Sequence, residues 1–185
     1  MKLRFGPLGK VRLILILAAV GHSPAQSQDS TLSVCSVVAG LPRHANRVVT
    51  VLGAFESGPE QFFLKGVHCE TPFITEGYTW PSALVLRFRG GPETPDSLPF
   101  VPDSSSISAF QEALRRARGK GLLVVGCLKV TGMIQMRDDY SIITQPDGQK
   151  RGHGFGHMSA CPAQLIIKSI EVKSLGSFPS DSGCQ

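Results

Sequence analysis

RVVTVLGAFESGPEQFFLKGVHC, residues 47–69, is the stretch that decides the fold. Val49, Val51, Gly53 and Phe55 alternate with Val48, Thr50, Leu52 and Ala54. Ser57-Gly58-Pro59 breaks the run, and Phe62 to Val67 resumes it. Period-two apolar runs rich in Val and Phe, bounded by Gly and Pro, mark a half-buried hairpin. The stretch is expected to open a small β-barrel.

Downstream, Glu70 to Pro81 (ETPFITEGYTWP) reads as a loop carrying three aromatics. Ser82 to Arg89 alternates again, with Leu84, Leu86 and Phe88 on one side and Val85, Arg87 and Arg89 on the other. That predicts a third strand with a wet outer face. Gly90 to Ser105 is a surface loop rich in Gly, Pro and Ser. Ile107, Phe110, Leu114 and Ala117 then recur at helical spacing, and Arg115, Arg116 and Arg118 sit where cations suit the helix dipole. Gly119 is a natural stop. Leu122 to Val130 predicts a fourth strand, extendable to Met136, and Ala163 to Val172 a fifth. Between them lie a Pro146-Asp147-Gly148 turn and a glycine-rich patch, Gly152 to Gly156. Three strands, a helix and two strands is the order of the OB-fold, a mainly β five-stranded barrel with one helix between strands three and four. Closure also removes the exposed edges of an open sheet. With only 18% charged residues, 20 Gly and 13 Pro, the composition suits a turn-rich β domain better than a helical bundle.

Upstream of the barrel, Ser33 is placed to cap a short helix over Val34–Leu41, ended by Pro42. The same run also fits a strand. The first residues have another purpose. Lys2, Arg4, Lys10 and Arg12 precede the apolar run 11–20, and Ser23-Pro24-Ala25 follows with small residues. This is the order of a secretory signal peptide over residues 1–25. The run falls short of the ~20 apolar residues that span a bilayer. The expected organisation is a leader (1–25), a flexible linker (26–32), the barrel (33–173) and a loose tail (174–185). Of 19 Lys and Arg residues four lie in the leader, leaving 15 against 14 Asp and Glu. The net charge of +5 therefore belongs largely to the leader. Nucleic acid is not the expected partner. Export points to a periplasmic or extracellular setting, and to an envelope protein or a glycan as partner, with no cofactor.

The fold is also supported by a resemblance. SVCSVVAGLPRHANRVVTVLGAFESGPEQFFL, GVHC and GFGHMSACPAQLIIKSI resemble a family of small exported bacterial proteins with an OB-like barrel and no assigned activity. The shared marks are a cysteine-led helix (Cys35), V-x-V-x-G (Val49 to Gly53), F-x-L (Phe62 to Leu64), Cys69, G-F-G-H (Gly154 to His157) and P-A-Q-L (Pro162 to Leu165). Cys161 stands where the family pattern has an aromatic residue. These motifs are structural. They imply a fold and no chemistry.

Five cysteines, Cys35, Cys69, Cys127, Cys161 and Cys184, leave at least one unpaired within the chain. A hairpin returns the end of its second strand beside the start of its first. Cys35 and Cys69 are therefore expected to form a disulfide, which needs Cα atoms ~4.4–6.8 Å apart. For the second bridge, Cys127–Cys161 between adjacent strands competes with Cys161–Cys184.

Candidate chemistry is sparse. No G-x-S-x-G elbow is present, and Cys69 and His68 are strand neighbours that point apart. No catalytic residue is assigned. His153, His157 and Cys161, spaced four and four, are weak metal candidates, because the intervening glycines disfavour the helix that would align them. The preferred ligand face combines Phe63, Lys65, Arg87 and Arg89 with Tyr78 and Trp80, since OB-folds bind across strands two and three and the loops at their ends. The function expected is a non-catalytic binding or interaction module. A metal-dependent enzyme is the alternative. Oligonucleotide or oligosaccharide binding rests on fold analogy alone.

Overall fold

A computed structural model describes residues 30–58, 60–118, 123–176 and 184. The expected leader, Gly119 and most of the expected tail lie outside these described residues.

Strand β1 (Thr31–Ser33) leads directly into helix α1 (Val34–Ala39). The Ser33 hydroxyl accepts a hydrogen bond from the Ser36 amide at 3.1 Å, a side-chain cap that resolves the open helix-or-strand choice. Val34, Val37, Val38 and Leu41 are buried at the spacing of one helical face. Pro42 does not end this helix. It sits in the first turn of α2 (Leu41–His44), where its missing N–H leaves no bond unmade. The linker expected over residues 26–32 is also corrected, because Thr31–Ser33 pair in parallel with Thr50–Leu52.

Strands β2 (Val48–Ser57) and β3 (Phe62–Lys65) form the expected antiparallel hairpin, Ser57 opposite Phe62 and Ala54 opposite Lys65. The loop beyond holds a minute hairpin, β4 (Ile74–Thr75) with β5 (Tyr78–Thr79). Then come β6 (Ala83–Arg87), helix α3 (Ser104–Arg118) and β7 (Val125–Met136). A second small hairpin, β8 (Ile142–Thr144) with β9 (Lys150–Gly152), folds over the predicted turn at Gly148. The last strand, β10 (Ala163–Gly176), outruns its expected end. Ser174, Leu175 and Gly176 pair with Cys127, Gly126 and Val125, so the chain after Ser174 begins as strand and not as loose tail.

Hydrogen bonds run β2-β3-β6-β10-β7 and return to β2, closing a five-stranded barrel. Within that ring β6 and β10 are parallel and the other pairs antiparallel. With α3 between the third and fourth barrel strands, this is the OB-like arrangement. Inward residues such as Val51, Phe55, Leu64, Leu84, Leu128 and Leu165 form one core. Helix α3 plugs one end: Phe110 meets Phe55 edge-on at 5.6 Å and Phe62 at 6.1 Å. Gly53 explains the glycine of V-x-V-x-G, because a Cβ there would strike Val34 of α1 and Leu64.

Cys35 and Cys69 form a disulfide with Cα atoms 5.2 Å apart. The second bridge is Cys127–Cys184, with Cα atoms 5.4 Å apart, and Cys161 is a buried free thiol. Both expected pairings of Cys161 are thus overturned. In the β7–β10 ladder Cys127 lies opposite Ser174, whereas Ala163 lies opposite Met136. Cys161 precedes Ala163, so the length of strand between the two sites puts them ~30 Å apart at about 3.3 Å per residue.

Removing Cys35–Cys69 by paired Ala substitution should cost about 3–4 kcal/mol by chain entropy, and removing Cys127–Cys184 about 4 kcal/mol. Urea unfolding of the oxidised protein measures both. Non-reducing peptide mapping should recover these two bridges with Cys161 alkylated only after unfolding; a bridge to Cys161 would contradict the arrangement.

Candidate functional site

In an OB-like barrel the second and third strands and the flanking loops form the usual ligand platform. Here those strands are β3 and β6, and their outer face carries Phe63, Lys65, Ala83, Val85 and Arg87. The centre of that face is not open. Phe155 and Cys161 pack on Ala83 and Val85, with Phe63 at the edge, and form a second small core outside the barrel. The chain between β9 and β10 has folded back onto its own platform.

Several contacts hold this covering segment down. Phe155 and Cys161 exchange backbone hydrogen bonds at 2.7 and 3.1 Å. Arg137 donates to the Gly154 carbonyl at 2.8 Å from one guanidinium nitrogen, lies 4.4 Å from the Phe155 ring centre, and pairs with Glu93 at 2.7 Å. A planar guanidinium suits this double use as donor and stacking cation. Beside it, the fully buried Gln164 donates to the Glu93 carbonyl and to Gln135, and accepts from Arg87 Nε at 3.4 Å. That polar layer continues the cover across β10.

Trp80 explains the neighbouring glycines. Only 2% exposed, its ring lies where a Cβ on Gly152 or Gly154 would have to go. The indole N–H donates to the Thr75 hydroxyl at 2.7 Å, and the ring meets Tyr78 at 4.9 Å and Tyr140 at 5.0 Å. Tyr140 donates to the Pro162 carbonyl at 2.5 Å. Burial pushes its phenol up to about 12, against a smaller lowering by Arg137. Trp80 is a peg under the covering segment, and its ring faces are already taken.

The six residues expected to share a ligand face therefore divide. Phe63 and Lys65 stay together, the ammonium 5.9 Å from the ring centre while it pairs with Glu56 at 2.6 Å. Tyr78 and Trp80 form a separate aromatic cluster. Arg87 is half-buried against Gln164, and Arg89 is exposed past the end of β6. His153, His157 and Cys161 are not gathered into a ligand set. His157 is exposed, Cys161 is buried, and no group of three or more His, Cys, Asp or Glu among the described residues is placed to hold a metal ion.

Beside the covered platform a cleft of ≈ 180 Å³ stays accessible at the rim, lined by Gly58, Glu60, Gln61, Phe63 and His157; two larger and shallower hollows, ≈ 410 and ≈ 360 Å³, lie away from the platform, along α1 and α2 and beside the Cys35–Cys69 bridge. The rim cleft lies between the β2–β3 turn and the covering segment. Glu60 Oε2 and His157 Nδ1 are 2.7 Å apart across it. Gln61, largely buried, accepts from the His157 amide at 2.8 Å and so ties the two loops together. The backbone beside the cleft is bent hard: Met158 and Ser159 take φ of 56° and 55°, left-handed values that L residues adopt at about 1–2 kcal/mol each. Strain of this kind persists where the surroundings fix it and concentrates at functional loops. Met158 is left 59% exposed at the tip. The Glu60–His157 pairing joins residues far apart in sequence, and no local signal announces it.

Burial raises the Cys161 thiol from 9.0 to about 12, with a small opposing effect of Lys65. Such a thiol is protonated and inert near neutrality. Comparison of the chain with family models, curated proteins and solved structures finds no match in any of the three.

Two outcomes follow. Gly154→Ala should destabilise by about 1–3 kcal/mol through overpacking against Trp80 and the Cys161 carbonyl, read by thermal unfolding. Because folding raises the Cys161 pKa, its contribution to stability is complete below about pH 9 and is lost as pH rises toward 12. Alkaline unfolding of Cys161→Ser should lack that component, measured against the parent chain.

Proposed function

We propose that this chain is an exported OB-like module that binds a protein of the cell envelope and does no chemistry on it. The observation that carries this reading is the size and make-up of the rim cleft. Small-molecule sites run ~300–1,000 Å³, and a cleft of ≈ 180 Å³ with Phe63 on its wall is on the scale of one side chain. Interfaces between proteins are anchored by such single side chains seated in small desolvated pockets. Met158, exposed and flexible, supplies adaptable apolar surface beside it.

Export is supported by the basic, apolar, small-residue order of residues 1–25 and by two disulfides, which persist in oxidising compartments. The resemblance to small exported proteins of unassigned activity agrees with it. No helix among the described residues is long and apolar enough to cross a membrane. A glycan reading is weakened because Trp80 has no free ring face, and an oligonucleotide reading because Phe155 and Cys161 lie on the β3–β6 platform.

Intact-mass measurement of the exported protein should give a chain beginning at Gln26; a mass that still includes Met1 would remove the export argument. Chemical-shift mapping with peptide libraries should perturb Gly58, Gln61, Phe63 and His157 together. Phe63→Ala should weaken such binding by about 2 kcal/mol, the scale of a hot-spot truncation. Perturbations confined to Tyr78, Thr79 and Arg89 would place recognition elsewhere.

A further inference from the structure

The arginines that the rim cleft leaves unused gather at one end of the barrel. Arg115, Arg116 and Arg118 lie in the last turns of α3. Arg118 sits over the Phe62 ring, 5.7 Å from its centre, and Phe62 meets Phe88 edge-on at 6.2 Å. Phe88 is flanked in sequence by Arg87 and Arg89. The aromatic pair therefore leads from the helix end to the turn that carries Arg89, while Arg87 is turned to the other face, against Gln164. Leu123, 46% exposed, adjoins the same end, because Val124 hydrogen-bonds Ser57 and Ser57 lies opposite Phe62.

The helix dipole accounts for some of this charge, since cations favour a helix C-terminus. It does not account for Arg89, which belongs to another part of the chain. Among the described residues, the carboxylate paired with the helix arginines is Glu112, which serves Arg115 and Arg116. Arg89 and Arg118 have no ion-pair partner among them. A chain with 15 basic against 14 acidic residues outside its first 25 has thus concentrated positive charge on one apolar-backed end.

We infer that this end is a docking surface for an anionic lipid bilayer. Guanidinium groups spread over two elements, beside half-exposed Phe88 and exposed Leu123, suit a plane of negative charge. A single carboxylate would instead call for convergent, fork-like donors. Each arginine near such a surface is worth about 1 kcal/mol, which is about a fivefold gain in partitioning.

The test is flotation of the full-length protein with phosphatidylcholine vesicles, with or without 30% phosphatidylglycerol as a chosen composition. Because Lys2, Arg4, Lys10 and Arg12 of the leader also favour anionic lipid, the ratio is read against arginine variants that carry the same leader. The expected result is a preference of at least tenfold for the anionic vesicles, lost in roughly 0.5 M salt as screening shortens to a few ångströms. R89A/R116A/R118A should lose most of that preference, and the corresponding triple Lys variant should keep it. Should the triple Ala variant fail to fold, the exposed single R89A should still lose about fivefold. Equal partitioning, an unchanged ratio in R89A, or binding to polyglutamate in place of vesicles would overturn the assignment.

Discussion

Strand β7 is hydrogen-bonded on both sides: Val125–Met133 are paired to β2, and the whole strand is paired to β10. This double pairing closes the barrel, and the other features are placed by it. A slip of one residue in β7 would turn Leu128 and Val130 outward and Cys127 and Lys129 inward, so the buried face fixes the register. With register fixed, Cys127 is held on the outer face of β7 opposite Ser174, where the bridge to Cys184 covers it. Arg137, the residue after β7 ends, is launched toward Gly154 and Phe155. The closure thus sets the second disulfide and aims the segment that covers the platform.

The parts legible in the sequence are those whose cause is local. The barrel strands follow from alternation, α3 from apolar residues at helical spacing, and the Cys35–Cys69 bridge from the return of a hairpin. The second bridge was not legible because β10 continues through Ser174, Leu175 and Gly176, residues whose own preferences read as tail. Partnering with β7 overrides that weak local preference. Cys161 was misread for the same reason: its position in the chain, just before a strand beside that of Cys127, says nothing of which end of a long ladder it occupies.

The candidate site was legible in part. Phe63 was placed correctly on the outer face of the second barrel strand, and that much follows from period two. Trp80 lies in a polar, proline-flanked loop and has the look of an exposed ring. Its burial is decided by Gly152 and Gly154, far downstream, whose missing side chains make room for it. Gly152 and Gly154 consequently owe their place in the glycine-rich patch to close packing on an indole. His157 was noticed for its spacing to His153 and Cys161, yet its partner is Glu60. No spacing rule connects residues whose proximity depends on a loop folding back across a barrel.

That fold-back has a consequence for recognition. Burying Phe155, Cys161 and Val85 against one another converts the central ligand platform of an OB-like barrel into core. A partner that displaced the segment would have to expose that apolar surface again, at about 25 cal/mol per Å². It would also break the Arg137 bonds to Gly154 and strip the cover from Trp80. Recognition at the rim avoids all of this, because Gly58, Glu60, Phe63 and His157 are reached without moving the segment. The rim keeps its shape only while the two loops stay joined, and Gln61 joins them with a largely buried amide whose oxygen holds the His157 N–H. Losing that acceptor would leave the N–H without its partner and free a strained turn. The geometry of the cleft therefore rests less on the residues that face a ligand than on one glutamine behind them.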